Sequence, residues 1–221
     1  MSIQNLHAAL SPQSKPLNHL RLYRCHVEAN ELQEALQRHS KTLEEFILEE
    51  IVVNNGTYNE IFNALGNATC LKELVILVNP NCPKLLPTEV EALILAMGNM
   101  PHLTRIQFSN LLQDARETTA SIEAIRSKEV ERLILHDNKS DSNTLEKINL
   151  VLNTSAKTLK TFEVAQSPEL FANQETNTNF LNALNGCANV KYIGIHQNHV
   201  NEEEFRQALS FGKAAKFEVR N

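Results

Sequence analysis

The chain has 221 residues, enough to bury one or two hydrophobic cores without disulfides or structural metals. Apolar residues make up 42% of it and charged residues 21%, and six glycines and seven prolines are too few for a collagen-like or low-complexity chain. We therefore expect a folded globular protein. The net charge of −5 argues against a nucleic-acid partner, because surfaces that bind phosphate backbones are usually basic.

Neither a membrane segment nor a secretion signal is predicted. No apolar run approaches the roughly 18 residues that suggest a membrane span. The sequence does not open with a charged stretch followed by an apolar one, which is the pattern of a signal peptide. We therefore expect no membrane span and a cytoplasmic location in the producing cell.

The first predicted element is a short helix over residues 3–10. Ser11-Pro12 and Pro16 separate this helix from the rest of the chain, since proline interrupts regular structure. We predict that residues 1–16 form an N-terminal helical cap.

One short pattern then returns along the rest of the chain. Its first copy has the form L-x-x-L-x-L-x-x-C-x-V, and successive copies start 24 to 32 residues apart. The copies begin at Leu17, Leu43, Leu71, Leu103, Val130, Leu159, Val190 and Ala214. This regularity predicts an array of about eight repeats over residues 17–221, the last one partial, with one strand in each repeat.

The stretches between the copies have the periodicity of helices. Val90 and Leu93 begin one apolar helical face, and Thr88 with Glu91 is a predicted capping box at its start. Asn201 followed by three glutamates predicts a further helix start. Each repeat is thus predicted to contain a strand and a helix joined by turns, which makes the fold class α/β.

Motifs for catalysis or cofactor binding are absent. The four cysteines fit no metal-ligand spacing and form no CxxC pair, so we expect free thiols and no bound metal. The glycines form neither a P-loop nor G-x-G-x-x-G, and there is no H-E-x-x-H or G-x-S-x-G. We therefore expect no cofactor and no small-molecule substrate.

The repeated pattern resembles the leucine-rich repeat family, L-x-x-L-x-L-x-x-N/C-x-L, over residues 17–221. The long period is similar to that of the ribonuclease-inhibitor-like subclass. Ile51 and Leu111 replace the Asn or Cys of the pattern, and we expect local irregularity at both. The resemblance implies a horseshoe-shaped solenoid with a parallel sheet on its concave face and helices on its convex face.

The resemblance also implies a function. It implies a non-catalytic module that binds a folded protein on its concave face, and the subclass implies inhibition or regulation of an enzyme. Arrays rich in asparagine, as this one is with 25, resemble effectors that bacteria inject into the host cell cytosol.

Alternation along each strand identifies the residues expected on the concave face. Positions 3, 5 and 7 of each copy are predicted to face solvent, opposite the leucines. Ile47, Val75 and Leu77 are apolar at these positions, which predicts a binding patch unless residues 79–87 cover it or the register is shifted. The predicted partner-binding residues are Arg21, Tyr23, Ile47, Glu49, Val75, Leu77, Arg105, Ile134 and His136.

An enzyme, or a regulatory fragment of one, is the alternative function. It would use His136 or His196, the histidines at the ends of two predicted strands. Asp137 follows His136, but neighbouring side chains of a strand point to opposite faces, so the two do not form a dyad. His196 and His199 would need further ligands to hold a metal. We expect these histidines to be solvated polar residues.

Overall fold

The computed structural model describes residues 15–79, 84–198, 200, 202–209 and 216–220. The predicted N-terminal helix, Cys82, His199 and the predicted cap Asn201 lie outside these ranges. The fold is α/β, as predicted, and the chain divides into two compact units, residues 1–103 and 104–221. No helix in the described ranges is long and apolar enough to cross a membrane.

The first unit contains five strands and three helices in its described part. Its main strands are parallel: β1 (His19–Tyr23), β3 (Glu45–Glu49) and β5 (Glu73–Leu77). Two short strands, β2 (His26–Glu28) and β4 (Val52–Asn54), pair in parallel with each other. The helices are α1 (Ala29–His39), α2 (Tyr58–Leu65) and α3 (Pro87–Gly98), and each packs against the next.

The second unit repeats the same alternation. Its five parallel strands are β6 (Arg105–Ser109), β7 (Arg132–His136), β8 (Thr161–Ala165), β9 (Tyr192–His196) and β10 (Lys216–Arg220). Its α-helices are α4 (Ala115–Ala124), α5 (Ser142–Thr154), α6 (Gln174–Asn185) and α7 (Glu202–Ala208), with a 3-10 helix at Pro168–Phe171.

The register predicted from the repeat is confirmed within each unit. Leu20 lies opposite Phe46, and Phe46 lies opposite Leu74, so equivalent positions of the first three copies align. These residues, and their equivalents two positions further on, are buried in the core. Because successive side chains alternate, the remaining strand residues form the opposite side of the strands in each unit. We call that side the open face of the unit.

A left-handed turn follows most of the main strands. The residues in this conformation are Arg24, Glu50, Asn110, Asp137, Gln166 and Gln197, with φ between 44° and 57°. Such values are uncommon for residues other than glycine. The turn directs the backbone N–H toward the end of the next strand; Arg24 donates to Glu49 O and Asp137 to Ala165 O, both at 2.9 Å. The same unusual conformation at one position of six copies shows that these copies are structurally equivalent.

Asn138 occupies the Asn position of its repeat and lies 1% exposed between two turns. Its Oδ1 accepts hydrogen bonds from the N–H groups of Leu111 and Leu112 at 3.1 and 3.0 Å. Its Nδ2 donates to Phe108 O and His136 O, both at 3.0 Å. The irregularity expected at Leu111 is therefore not seen, because the asparagine of the following copy satisfies its backbone.

The turn at Ile51 and the start of α3 also differ from expectation. The turn at Ile51 is regular, since the next residue, Val52, donates to Cys25 O at 3.0 Å and begins the pairing of β4 with β2.

The capping box predicted for Thr88 and Glu91 is wrong. Helix α3 begins at Pro87, and it is the carboxylate of Glu89 that accepts the N–H of Leu86, at 2.7 Å.

Candidate functional site

The nine predicted partner-binding residues all lie on open faces, six in the first unit and three in the second. In the first unit the open face is formed by alternate residues of β1, β3 and β5. They are His19, Arg21, Tyr23, Glu45, Ile47, Glu49, Glu73, Val75 and Leu77. Exposure falls across these strands, from three exposed side chains on β1 to two buried ones and a half-exposed one on β5.

The apolar part of this face is smaller than predicted. Tyr23 is 48% exposed and Ile47 and Leu77 are half-exposed, but Val75 is only 6% exposed, so the expectation that it faces solvent is wrong. Val75 lies in register with Ile47 on the next strand and between Glu73 and Leu77 on its own. Side chains at these positions lie within reach of Val75. Tyr23, Ile47 and Leu77 remain as the accessible apolar group.

Two carboxylates are buried at the amino-terminal end of this face. Glu45 and Glu73 are 6% and 9% exposed and lie opposite each other on β3 and β5. Arg21 binds Glu45 with both ends of its guanidinium; Nε contacts Oε1, and Nη2 donates to Oε2 at 3.0 Å. His19 Nδ1 lies 3.6 Å from Oε2 of the same carboxylate. The hydrogen bond and the charge of Glu45 raise the pKa of Arg21.

A second arginine lies at the carboxyl end of the face. The guanidinium carbon of Arg24 lies 4.8 Å from the centroid of the Tyr23 ring, and its Nε donates to Glu50 Oε2 at 2.7 Å. The hydrogen bond to Glu50 and the charge of that carboxylate raise the pKa of Arg24, with a smaller effect from Glu49. A guanidinium, an aromatic ring and carboxylates therefore already contact one another at this end.

The open face of the second unit is mainly polar. Arg132 Nη2 donates to Gln107 Oε1 at 3.0 Å, and Arg105 is half-exposed in register with Arg132. Ile134 is 4% exposed, so the expectation that it contributes an apolar surface is wrong. It lies between Arg132 and His136 on its own strand, and these two side chains contact Gln107 and Glu163 on the neighbouring strands.

The structure brings two histidines to one carboxylate. His136 Nε2 lies 2.9 Å and His196 Nε2 3.7 Å from Oε1 of Glu163, across three neighbouring strands. The contact of His136 with Glu163 is close, but Nε2 of His136 forms no aligned hydrogen bond in the described part of the chain. The repeat alignment places both His136 and Glu163 on this face, but only His136 was predicted to be a binding residue.

This cluster continues across β9 to β10. Tyr192 Oη lies 3.3 Å from His196 Nε2 and 3.4 Å from Glu218 Oε2, and Lys216 Nζ lies 2.5 Å from Glu218 Oε1. Gly194 lies beneath these groups. A Cβ at Gly194 would come within 2.8 Å of His196 Nε2 and of Tyr192 Oη, so these side chains would have to move if the position were not glycine.

The positions of the donor atoms bear on whether this cluster could hold a metal ion. Both imidazole nitrogens approach the same carboxylate oxygen instead of surrounding a common point. No group of three or more His, Cys, Asp or Glu side chains able to hold a metal ion is found in the ranges that the structure describes. The arrangement offers instead two imidazoles and a carboxylate that can exchange protons or meet polar groups of a partner.

Known proteins give no further guide to this site, since no family model and no curated protein sequence matches the chain.

Proposed function

We propose that the chain is a non-catalytic interaction module that binds a folded protein on the open face of its first unit. One observation carries the proposal: Tyr23 keeps 48% of its surface exposed beside the half-exposed Ile47 and Leu77. An aromatic and aliphatic group bordered by charges of both signs is typical of a protein-binding centre. The ion pair of Arg21 with Glu45 supplies part of that border.

The repeat pattern supports a narrower assignment. It favours a leucine-rich-repeat solenoid of the ribonuclease-inhibitor-like kind, with the strands on its concave side. That subclass favours inhibition or regulation of an enzyme as the consequence of binding. The abundance of asparagine favours a bacterial effector that acts in the cytosol of a host cell.

The test is to change the apolar group without disturbing the core. Leu77→Asp should weaken binding by on the order of 2 kcal/mol or more, because it places an unpaired charge in a contact that loses its water. The partner is first captured by the wild-type protein and identified by mass spectrometry, and affinities are then measured by calorimetry. Glu146→Ala on helix α5, an exposed position on the helical side, is the control and should bind normally. Normal binding by a folded Leu77→Asp variant would remove the open face as the site.

A second candidate function is supported by the contact of His136 with Glu163. A carboxylate can orient an imidazole for general acid–base catalysis, and His196 approaches the same carboxylate. The test is hydrolysis of a panel of chromogenic esters, peptides and phosphate esters by the wild type and by His136→Ala. Turnover that disappears in the variant supports an enzyme, and turnover that persists in it eliminates His136 as the catalytic base.

A further inference from the structure

A row of three side chains crosses the carboxyl ends of the first unit's main strands. Tyr23, Glu49 and Leu77 are in register on β1, β3 and β5, so their Cα atoms follow one another at about 4.8 Å. Tyr23 is exposed, and Glu49 and Leu77 are half-exposed. An aromatic ring, a carboxylate and an aliphatic side chain therefore lie within reach of one long side chain of a partner.

The charge around this row is negative. Two arginines and four glutamates lie on the open face or at the turns that follow β1 and β3: Arg21, Arg24, Glu45, Glu49, Glu50 and Glu73. Arg21 is held by Glu45, and Arg24 is held by Glu50. Two positive and four negative side chains give the group a formal charge of −2. A cationic group is its electrostatic complement.

One arginine of the chain already contacts both an aromatic ring and a carboxylate at this end of the face. The Arg24 guanidinium lies 4.8 Å from the Tyr23 ring centroid and donates to a carboxylate at the same time. A guanidinium combines flat stacking on an aromatic ring with donors directed at carboxylate oxygens, whereas an ammonium is a compact, strongly hydrated charge. Tyr23 still has 48% of its surface exposed with Arg24 in place.

We propose that the row Tyr23–Glu49–Leu77 binds the side chain of an arginine presented by a protein partner. The Glu49 carboxylate accepts hydrogen bonds from the guanidinium, the Tyr23 ring contacts its flat face, and Leu77 packs against the methylene groups. The inference rests on the proposed function and names the chemistry of the partner at that face.

The test uses two small probes that differ mainly in charge. N-acetyl-arginine amide and N-acetyl-citrulline amide have nearly the same shape, but citrulline is neutral. Each is titrated into the isotope-labelled full chain while backbone amide signals are followed by NMR. We expect the arginine amide to shift the amides of Tyr23, Glu49 and Leu77, with affinity roughly threefold or more above that of the citrulline amide.

Two variants and a control locate the effect. Glu49→Gln should abolish the preference for arginine over citrulline, and Tyr23→Leu should weaken both probes by removing the aromatic contact. Glu34→Gln removes the same charge from an exposed position on helix α1 and should change nothing.

Three outcomes would overturn the inference: equal shifts with both probes, shifts by the arginine amide that avoid these three residues, or no shift up to about 50 mM. None of them removes the proposed function, since a partner could still bind the face through apolar contacts. The proposed function fails separately, when Leu77→Asp leaves binding of the captured partner unchanged.

Discussion

The buried amide of Asn138 offers the sharpest test of how the repeats are joined. Its side chain makes four hydrogen bonds to backbone groups of two successive turns, at 3.0 to 3.1 Å, and is 1% exposed. Asn138→Ala removes all four bonds and leaves two N–H groups and two carbonyls without that partner. A typical intramolecular hydrogen bond contributes about 1 kcal/mol net, and a buried unsatisfied group costs more. We therefore expect a loss of about 3–5 kcal/mol of unfolding free energy.

Asn198 is a natural comparison, because it occupies the same position two copies later and its amide bonds to the turn of the preceding copy. Its Oδ1 accepts the N–H of Ser167 at 2.7 Å, and its Nδ2 donates to Val164 O at 3.0 Å. The described part of the chain shows these two bonds for Asn198, in place of the four for Asn138, so Asn198→Ala should cost about half as much. Asn153 is exposed in the last turn of α5, and Asn153→Ala should change stability by less than about 0.5 kcal/mol.

Urea unfolding followed by circular dichroism measures these differences, provided that the slope of free energy against urea is the same for all variants. The expected order of destabilisation is Asn138→Ala, then Asn198→Ala, then Asn153→Ala. A cost below about 1 kcal/mol for Asn138→Ala would refute the reasoning. It would mean that water replaces the amide at no expense, so the asparagine would not be what holds the two turns together.

Three further predictions concern single residues. Burial, and then the charge of Arg38, lowers the pKa of His39, whose Nδ1 accepts the N–H of Leu17 at 3.3 Å. The unfolded chain therefore binds a proton more readily than the folded one, and stability should fall as the pH drops below about 6.5. Urea melts between about pH 7.5 and 5.5 should show a smaller fall for His39→Gln. Burial raises the pKa of Cys187 to about 11, so its thiol should not react with iodoacetamide in the native protein. Mass mapping should find the partly exposed Cys70 alkylated under these conditions, and Cys187 alkylated only after urea is added. Gly194→Ala should cost about 1 kcal/mol in urea melts and should shift the side-chain NMR signals of His196 and Tyr192, because a Cβ there would come within 2.8 Å of both side chains. Gly98→Ala is the control, since its Cβ would meet nothing within 4 Å, and it should not destabilise the protein. Unchanged His196 signals in the Gly194→Ala variant would contradict the crowding over Gly194.

The strands and their register could be predicted because the sequence repeats. Aligning the copies places Leu20, Phe46 and Leu74 at one position, and the structure pairs these residues across neighbouring strands. Helix starts were less predictable. Thr88 and Glu91 fit a capping box by spacing, but Pro87 already allows a helix to begin there, since its fixed φ suits the first turn and its missing N–H would be unpaired anyway.

Exposure on the open face could not be predicted from alternation alone. Alternation gives the side of the sheet, and it places Val75 and Ile134 correctly on the open side. Whether an aliphatic residue there reaches solvent depends on the length and direction of the side chains around it, and both residues are buried. A short sequence pattern does not reveal that Arg132 contacts Gln107 and His136 contacts Glu163 on the neighbouring strands.

The histidine cluster shows a different limit. His136, Glu163 and His196 are 27 and 33 residues apart, so no motif search joins them. The repeat alignment does contain the signal, because it places Glu163 one strand away from each histidine and two positions earlier in the repeat. Gly194 is the second signal: it is the only glycine among the open-face positions of the second unit that the structure describes.

The two open faces differ in a way that bears on the proposed function. In the first unit the charges of Arg21 and Arg24 are already paired, and the apolar side chains of Tyr23 and Leu77 remain accessible. In the second unit the aliphatic Ile134 is covered, and polar side chains form the surface. Loss of water from apolar contacts supplies most binding energy, whereas charged groups mainly affect orientation and association rate. If a partner contacts both faces, changes at Leu77 should therefore raise its dissociation rate, and changes at Glu163 should alter mainly how its association rate depends on salt.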